Sequence, residues 1–339
     1  MNRIRIGAKE IGDGNPCFII AEAGSNHDCK LSRAKELIDV ASKAGADAIK
    51  FQTFRANKLF NEVKNKETVD LLAKLELRED WYKVLVAYAN RKGIEFLASA
   101  FDEESADFLE KLGVPAFKIA SYELVHIPLI EHVARKRKPV ILSTGMANER
   151  EIRDAVEAVN ATGNKQVVLL HCVSQYPAST KDVNLNSILT LKKRFGCPVG
   201  FSDHTTTISA PVAAAAIGAN MIEKHLTTSR KLVGPDHSYA LEPREFEAMV
   251  AGIREIEAML GTGYLVPTKA ELGERDWRRA IYAATDIPKG TKLKKEMLMI
   301  VRPSPKGAIP PKDLKKVLSR ATKQDLRKGD LLTKGAVDL

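Results

Sequence analysis

Val199-Gly200-Phe201-Ser202-Asp203-His204 and Met221-Ile222-Glu223-Lys224-His225 are short apolar runs, each ending in groups able to ligate a metal, hold an anion or move a proton. The same arrangement recurs upstream. Phe18–Ala23 carries Glu22, Ala48–Phe51 carries Lys50 and leads to Gln52, and Glu95–Ala98 is followed by Ser99. Ala116–Ile119 carries Lys118 and leads to Ser121, Val140–Ser143 ends on Ser143, and Val167–His171 is trailed by Ser174 and Tyr176. Between the runs lie stretches with helical spacing, such as Leu31, Ala34, Leu37, Ile38 and Ala41, or Phe246, Met249, Val250, Ile253 and Ile256. Strands alternating with helices predict a parallel sheet, and eight such units predict closure into a (β/α)8 TIM barrel of the α/β class. The polar groups at the strand C-termini then converge on one mouth, where barrel active sites lie.

At 339 residues the chain is long enough for a barrel of about 250 residues and a small appendage. Gly261-Thr262-Gly263-Tyr264-Leu265-Val266-Pro267 reads as the exit from the barrel. We therefore expect a catalytic barrel over residues 1–265, a linker over 266–280 and a compact β-rich module over 281–339. No apolar run approaches the roughly 18 residues of a membrane span, and the N-terminus lacks the apolar stretch of a signal peptide. Cys17, Cys29, Cys172 and Cys197 form no C-x-x-C pair. These features set the expectation of a cytoplasmic protein with reduced thiols and no membrane partner. Of the net charge of +10, most sits in residues 270–339, which hold 17 Lys/Arg against 9 Asp/Glu. That tail has no recognition motif or interleaved aromatics, so it reads as a solvated basic face that attracts anionic substrates and not as a nucleic-acid interface.

His204 and His225 end adjacent strands, beside Asp203, Glu223 and Asp236. Two neutral imidazoles completed by water suit manganese, iron, cobalt or zinc better than calcium. Either histidine alone would read as a hydrogen-bonded wall residue; the pair on neighbouring strand ends favours a metal. Lys50, Lys118 and Lys224 with Ser99, Ser121, Ser143 and Ser202 are read as an inward set of cations and hydroxyl donors for a phosphate. The same lysines admit another reading, a Schiff-base nucleophile of an aldolase, and the residues alone do not separate the two. Asn26-His27 and Asp236-His237 stand near the expected site; His126, His132 and His171 read as packing or surface residues.

Several motifs together resemble the sialic acid (N-acetylneuraminate) synthase family, including its legionaminic and pseudaminic acid synthases. They are Ile20-Ala21-Glu22-Ala23-Gly24-Ser25-Asn26-His27, Lys50-Phe51-Gln52-Thr53, Phe117-Lys118-Ile119-Ala120-Ser121, Ser143-Thr144-Gly145-Met146, Gly200-Phe201-Ser202-Asp203-His204-Thr205, Glu223-Lys224-His225 and Gly234-Pro235-Asp236. Leu298-Met299-Ile300-Val301-Arg302-Pro303 resembles that family's C-terminal antifreeze-like (SAF) domain. The resemblance implies condensation of phosphoenolpyruvate with an open-chain N-acetylated amino sugar, giving a nine-carbon 3-deoxy-2-keto acid and phosphate. It implies a divalent metal, manganese first and magnesium or cobalt otherwise, on His204 and His225. It places Lys50, Ser99, Lys118, Ser121, Ser143 and Ser202 around phosphoenolpyruvate, and Glu22, Gln52, Glu123, Tyr176 and Asp236 toward the sugar or a metal-bound water. Glu22 and Asp236 are the candidates for moving protons. Two departures bear on the sugar: Cys29 stands where the family often has glycine, and Ser174 stands where sialic acid synthases proper often have asparagine, a choice associated with the legionaminic and pseudaminic relatives.

The resemblance further implies a domain-swapped homodimer in which Arg302 reaches the sugar of the partner subunit. Mixing His204→Ala chains with Arg302→Ala chains should then restore part of the activity, because one composite site in the mixed dimer is intact. Subunit exchange confirmed by mass, with no recovery of turnover, would assign Arg302 to its own barrel or to no site.

Overall fold

A computed structural model describes residues 4–338, and these divide into two compact units between Gly261 and Thr262. The first opens with a hairpin of β1 (Ile4–Ile6) and β2 (Lys9–Ile11), paired antiparallel. Eight parallel strands follow: β3 (Phe18–Glu22), β4 (Ala48–Thr53), β5 (Glu95–Ala100), β6 (Phe117–Ile119), β7 (Val140–Ser143), β8 (Val167–Cys172), β9 (Val199–Asp203) and β10 (Met221–His225). They close into a barrel in chain order, β10 pairing with β3. The eight apolar runs of the sequence are these strands. The (β/α)8 barrel read from them is the observed architecture.

Alternation along each strand divides its residues between two environments. Ile19, Ile49, Phe96, Phe117, Leu142, Leu169, Phe201 and Ile222 belong to the apolar layer under the surrounding helices. Phe18, Ile20, Ala48, Leu97, Ala116, Ile141, Val168, Leu170 and Met221 form a separate cluster inside the barrel. Ile4, Ile6 and Ile11 of the hairpin join that inner cluster, so the hairpin stops the N-terminal end of the barrel with side chains. The interior is apolar at that end and polar two residues farther along, at Glu22, Lys50, Ser99, Lys118, Ser143, Ser202 and Glu223, all buried.

Helix ends are set by local signals. Asn148 and Glu151 form a reciprocal capping box at the start of helix Glu149–Ala161, and Pro243 opens helix Pro243–Leu260 at a position where its missing N–H costs nothing. No helix among the described residues is long and apolar enough to cross a membrane.

The second unit pairs β11 (Ala280–Ala283) antiparallel with β12 (Leu298–Val301). Isolated bridges such as Ile287 with Leu326 and Thr322 with Val337 extend the β pairing. Its own core gathers Ile281, Leu293, Ile309, Val317, Leu332 and Val337. It is a compact β module, built largely from short bridges and turns.

The hairpin's stopper role carries a consequence for stability. Ile6 is fully buried among the inner barrel side chains, so Ile6→Ala should cost about 2–5 kcal/mol of unfolding free energy. Chemical denaturation checks this, and Michaelis constants should stay put because Ile6 lies at the apolar end. A loss below about 1 kcal/mol would show that the hairpin is not packed into the barrel in solution.

Candidate functional site

At the polar end, two carboxylates and two ammonium groups meet inside the barrel. Lys50 Nζ lies 2.7 Å from Glu22 Oε2 and 3.6 Å from Glu223 Oε2, and Lys118 Nζ lies 3.8 Å from Glu223 Oε1. Lys50 also donates to Ser99 Oγ at 3.1 Å, Gln52 Nε2 to Glu22 Oε1 at 2.9 Å, and Ser202 Oγ to Glu223 Oε1 at 3.1 Å. Every charge here is buried and paired, as the cost of removing an ion from water demands. Burial raises the pKa of Glu22, an effect Lys50 offsets only in part. Burial acts on Glu223 in the same direction, but Lys118 and Lys50 outweigh it and hold this carboxyl below its ordinary value. Burial pushes Lys118 down, while the two carboxylates hold Lys50 up. Lys118, which donates to the Ile119 carbonyl at 3.2 Å and meets no carboxylate oxygen closer than 3.8 Å, is the cation best placed to take an incoming anion.

Hydroxyl donors gather beside Lys118. Ser143 Oγ is buried without a hydrogen-bond partner, and Ser121 Oγ accepts from the Gly145 amide at 3.1 Å. A Cβ on residue 145 would stand 2.1 Å from Ser174 Oγ and 2.7 Å from Ser121 Oγ, so glycine is what lets these two serines approach the same backbone. Ser121, Ser143 and Ser174 with Lys118 make a donor-rich wall suited to a phosphate.

His204 and His225 face each other at the mouth, ring centroids 5.5 Å apart. His204 Nδ1 donates to the Val173 carbonyl at 2.8 Å, which leaves Nε2 with a lone pair. His225 Nδ1 is buried without a partner. Burial lowers both pKa values to about 4, so both rings are neutral at pH 7. Two neutral imidazoles, one with an orphaned buried nitrogen, are a donor set that fits a divalent transition ion. No three His, Cys, Asp or Glu side chains among the described residues gather as a metal site, so the remaining positions on such an ion would belong to solvent or substrate. Cys172 Sγ lies 3.9 Å from His204 Nδ1, the nitrogen already committed to the Val173 carbonyl.

Asp236 is a further, partly buried carboxylate at this end. Its Oδ2 accepts from the Ser25 amide at 2.9 Å and from Ser25 Oγ at 2.8 Å, and its Oδ1 from the Tyr239 hydroxyl at 2.7 Å. Burial opposes ionisation, but His225 and these donors outweigh it and keep the pKa low. Gly24 makes the approach possible: it sits at φ +50°, and a Cβ there would lie 2.5 Å from Asp236 Oδ2. Tyr176 packs on His204 at a centroid distance of 4.2 Å and Tyr239 on His225 at 5.0 Å, so two phenol rings flank the imidazole pair. Glu123 follows β6, buried, with Oε2 unpartnered, and burial lifts its pKa to about 7.

Alternation corrects one expectation. Lys224 does not join Lys50 and Lys118 inside the barrel; its Nζ pairs with Asp203 Oδ2 at 2.5 Å on the helix-covered side. Reading the three lysines together ignored that Lys224 lies one residue from the inward Glu223 and His225. Asn26-His27 and His237 are structural in their contacts: His27 Nδ1 accepts from the Cys29 amide at 3.1 Å, and His237 bridges Thr227 Oγ1 at 2.6 Å and Asp28 Oδ1 at 2.9 Å. Cys29 is exposed, with Sγ against the Lys74 and Glu76 carbonyls. Arg302 follows β12 in the second unit and is exposed. Glu223 had no assigned role in the sequence reading, although period two along Glu223-Lys224-His225 points it inward. Ser25 stood inside a quoted motif without a role of its own, and Tyr239 had no period or motif to mark it. A cavity of about 610 Å³ between helices Glu149–Ala161 and Asn186–Phe195 gathers no converging set of buried charges, so it does not compete with the mouth as the site.

The model of the NeuB family matches residues 37–264, and that of the SAF domain matches residues 278–338. An uncharacterized Methanocaldococcus jannaschii protein is 44% identical, with 98% of both chains covered. The N,N'-diacetyllegionaminic acid synthase of Legionella pneumophila is 41% identical over 98% of this chain and 97% of its own. The crystal structure of N-acetylneuraminic acid (sialic acid) synthetase from Leptospira borgpetersenii, in complex with citrate, superposes with a TM-score of 0.76 at 40% identity, covering 80% of this chain and 95% of that one.

The raised pKa of Glu123 gives a pH signature. Its folded value of about 7 exceeds the ordinary 4.5, so the folded state holds a proton that the unfolded chain releases. The stability this group contributes is present below pH 4.5 and lost as pH rises through 7. Glu123→Gln, neutral throughout, should gain on the wild type by about 2 kcal/mol between pH 5 and 8. Parallel melting curves for the two proteins over that window would mean that Glu123 is ionised and partnered in the folded state.

Proposed function

The chain belongs to the NeuB family and is a synthase-type enzyme, and from that membership we propose that it condenses phosphoenolpyruvate with an N-acetylated amino sugar, releasing phosphate. The observation that carries the reading is the facing of two sets at one mouth: Lys118 with the Ser121, Ser143 and Ser174 hydroxyls, and the neutral His204–His225 pair. The first set suits the phosphate of phosphoenolpyruvate, and Lys50 with Ser99 extends it along the barrel interior. His204 and His225 would hold a divalent ion, manganese in our reading, which when bound polarises the aldehyde oxygen of the open sugar. That oxygen is where charge develops as the enol carbon attacks, so fixed positive charge there lowers the barrier most.

Glu22 and Asp236 divide the remaining work by environment. Glu22, lifted by burial and hydrogen bonded to Gln52, is the carboxyl that exchanges a proton with the reacting centre. Asp236, held ionised by Ser25 and Tyr239, orients water or a sugar hydroxyl as an acceptor. Glu123 and Tyr176 complete the sugar side. For the sugar we favour a 2,4-diacetamido-2,4,6-trideoxyhexose over N-acetylmannosamine. Ser174 supports this choice, as does the 41% identity to the N,N'-diacetyllegionaminic acid synthase.

Phosphate release from phosphoenolpyruvate should appear with one or more members of a panel of N-acetylated hexoses and diacetamido-trideoxyhexoses, and should stop on chelation and return with manganese. Lys118→Ala should raise KM for phosphoenolpyruvate by about 10- to 100-fold, the worth of one charge-assisted contact, with KM for the sugar changing much less. Covalent trapping of substrate on a lysine by borohydride, with turnover indifferent to chelator, would replace this reading with Schiff-base aldol chemistry.

A further inference from the structure

Lys224 and Asp203 are a buried ion pair that the proposed chemistry leaves without a task. Both are about 1% exposed, and they are register partners on β10 and β9, facing the helix layer. Nothing apolar packing requires is supplied by two opposite charges there. Burying an ion pair seldom adds stability over a hydrophobic pair of the same size.

The hydrogen bonds around the pair show what it holds. Lys224 Nζ meets Asp203 Oδ2 at 2.5 Å and also donates to the Thr205 carbonyl. Asp203 Oδ1 accepts from the Thr205 amide at 2.9 Å, and Oδ2 from the Thr205 hydroxyl at 3.0 Å. The closed network therefore grips the residue before His204, the residue after it, and the residue before His225. One imidazole is bracketed on both sides, and the other is anchored through its neighbour on the adjacent strand.

We propose that Lys224 is a positioning residue: acting through Asp203 and Thr205 from behind the sheet, it sets the backbone of β9 and β10 where His204 and His225 leave the barrel. Its effect is the spacing and orientation of the two rings, and so the affinity for a divalent ion; in this it rests on the metal reading above. Outer partners that fix a ligand's orientation typically matter by about 10- to 100-fold in metal affinity.

The test uses the full-length, metal-stripped protein and manganese alone, with binding followed by calorimetry and electron paramagnetic resonance. Lys224→Met leaves Asp203 buried without a counter-charge and risks unfolding, so the decisive variant is the neutral pair Asp203→Asn/Lys224→Met. Its asparagine still accepts from the Thr205 amide. This variant should fold with a melting temperature close to wild type, yet bind manganese about tenfold or more weakly. Its kcat should recover at saturating manganese while KM for phosphoenolpyruvate stays unchanged. Thr205→Val, which removes one hydroxyl of the network and leaves the ion pair, should weaken manganese in the same direction by less. Ring resonances of His204 and His225 in the metal-free protein should shift in both variants. If the wild type binds no manganese, the metal reading fails and the ring resonances alone judge the clamp. A folded neutral-pair variant with unmoved histidine resonances, or with manganese affinity within about twofold of wild type, overturns the proposal.

Discussion

Four charges buried inside a closed barrel, Glu22, Lys50, Glu223 and Lys118, set the conditions under which the rest of the structure is arranged. Each ion removed from water costs several kcal/mol and is tolerated only beside a partner. The interior meets that demand by setting each carboxylate within reach of a lysine, Lys50 beside Glu22 and Glu223 and Lys118 beside Glu223. It also keeps the four charges at one level, with an apolar plug of Phe18, Ile20, Leu97, Ile141 and Met221 beneath them and the N-terminal hairpin below that. A water-filled interior would weaken every one of these pairs through its dielectric. The hairpin, remote from the chemistry, is thus part of its electrostatics.

The pairing is balanced but not equal. Glu223 is shared by two lysines and stays ionised, whereas Glu22 faces chiefly Lys50 and is pushed by burial toward its protonated form. A proton on Glu22 leaves the interior with two ammonium groups against one carboxylate. That surplus is what an anion entering the mouth would meet, with Lys118 and the unpartnered Ser143 hydroxyl on its path. The proton balance of Glu22 therefore tunes how strongly this site attracts an anion.

Much of this was legible in the sequence, and the reasons are physical. Each barrel strand had to be apolar to be buried on both faces, and each had to end in a polar residue to make a site. Eight runs such as Val140–Ser143 and Met221–His225 therefore stood out. Lys224 was grouped with Lys50 and Lys118 because all three end apolar runs, but period two along Glu223-Lys224-His225 turns its neighbours inward and Lys224 the other way. The Ser25–Asp236–Tyr239 network joins residues about two hundred positions apart, and no local pattern encodes such a meeting. The hairpin escaped notice because Ile4–Ile6 and Lys9–Ile11 are three residues each and carry charges between their apolar side chains.

The division of each strand into two faces also separates two uses of charge. Inside the barrel Lys50 is held closely by Glu22, but Lys118 has slack: it is 3.8 Å from its nearest carboxylate oxygen, and a ligand can replace that contact. On the outer face, Lys224 and Asp203 are in tight contact and fully enclosed, out of reach of any substrate. Loose pairs are exchangeable and suit binding, whereas tight enclosed pairs are rigid and suit position. His204 and His225 lie at the junction of the two, with their rings at the mouth and their backbones in the grip of the outer pair. A metal held, as proposed, by only two protein ligands would have little geometry of its own to rely on, so its precision would have to come from the strands that carry them.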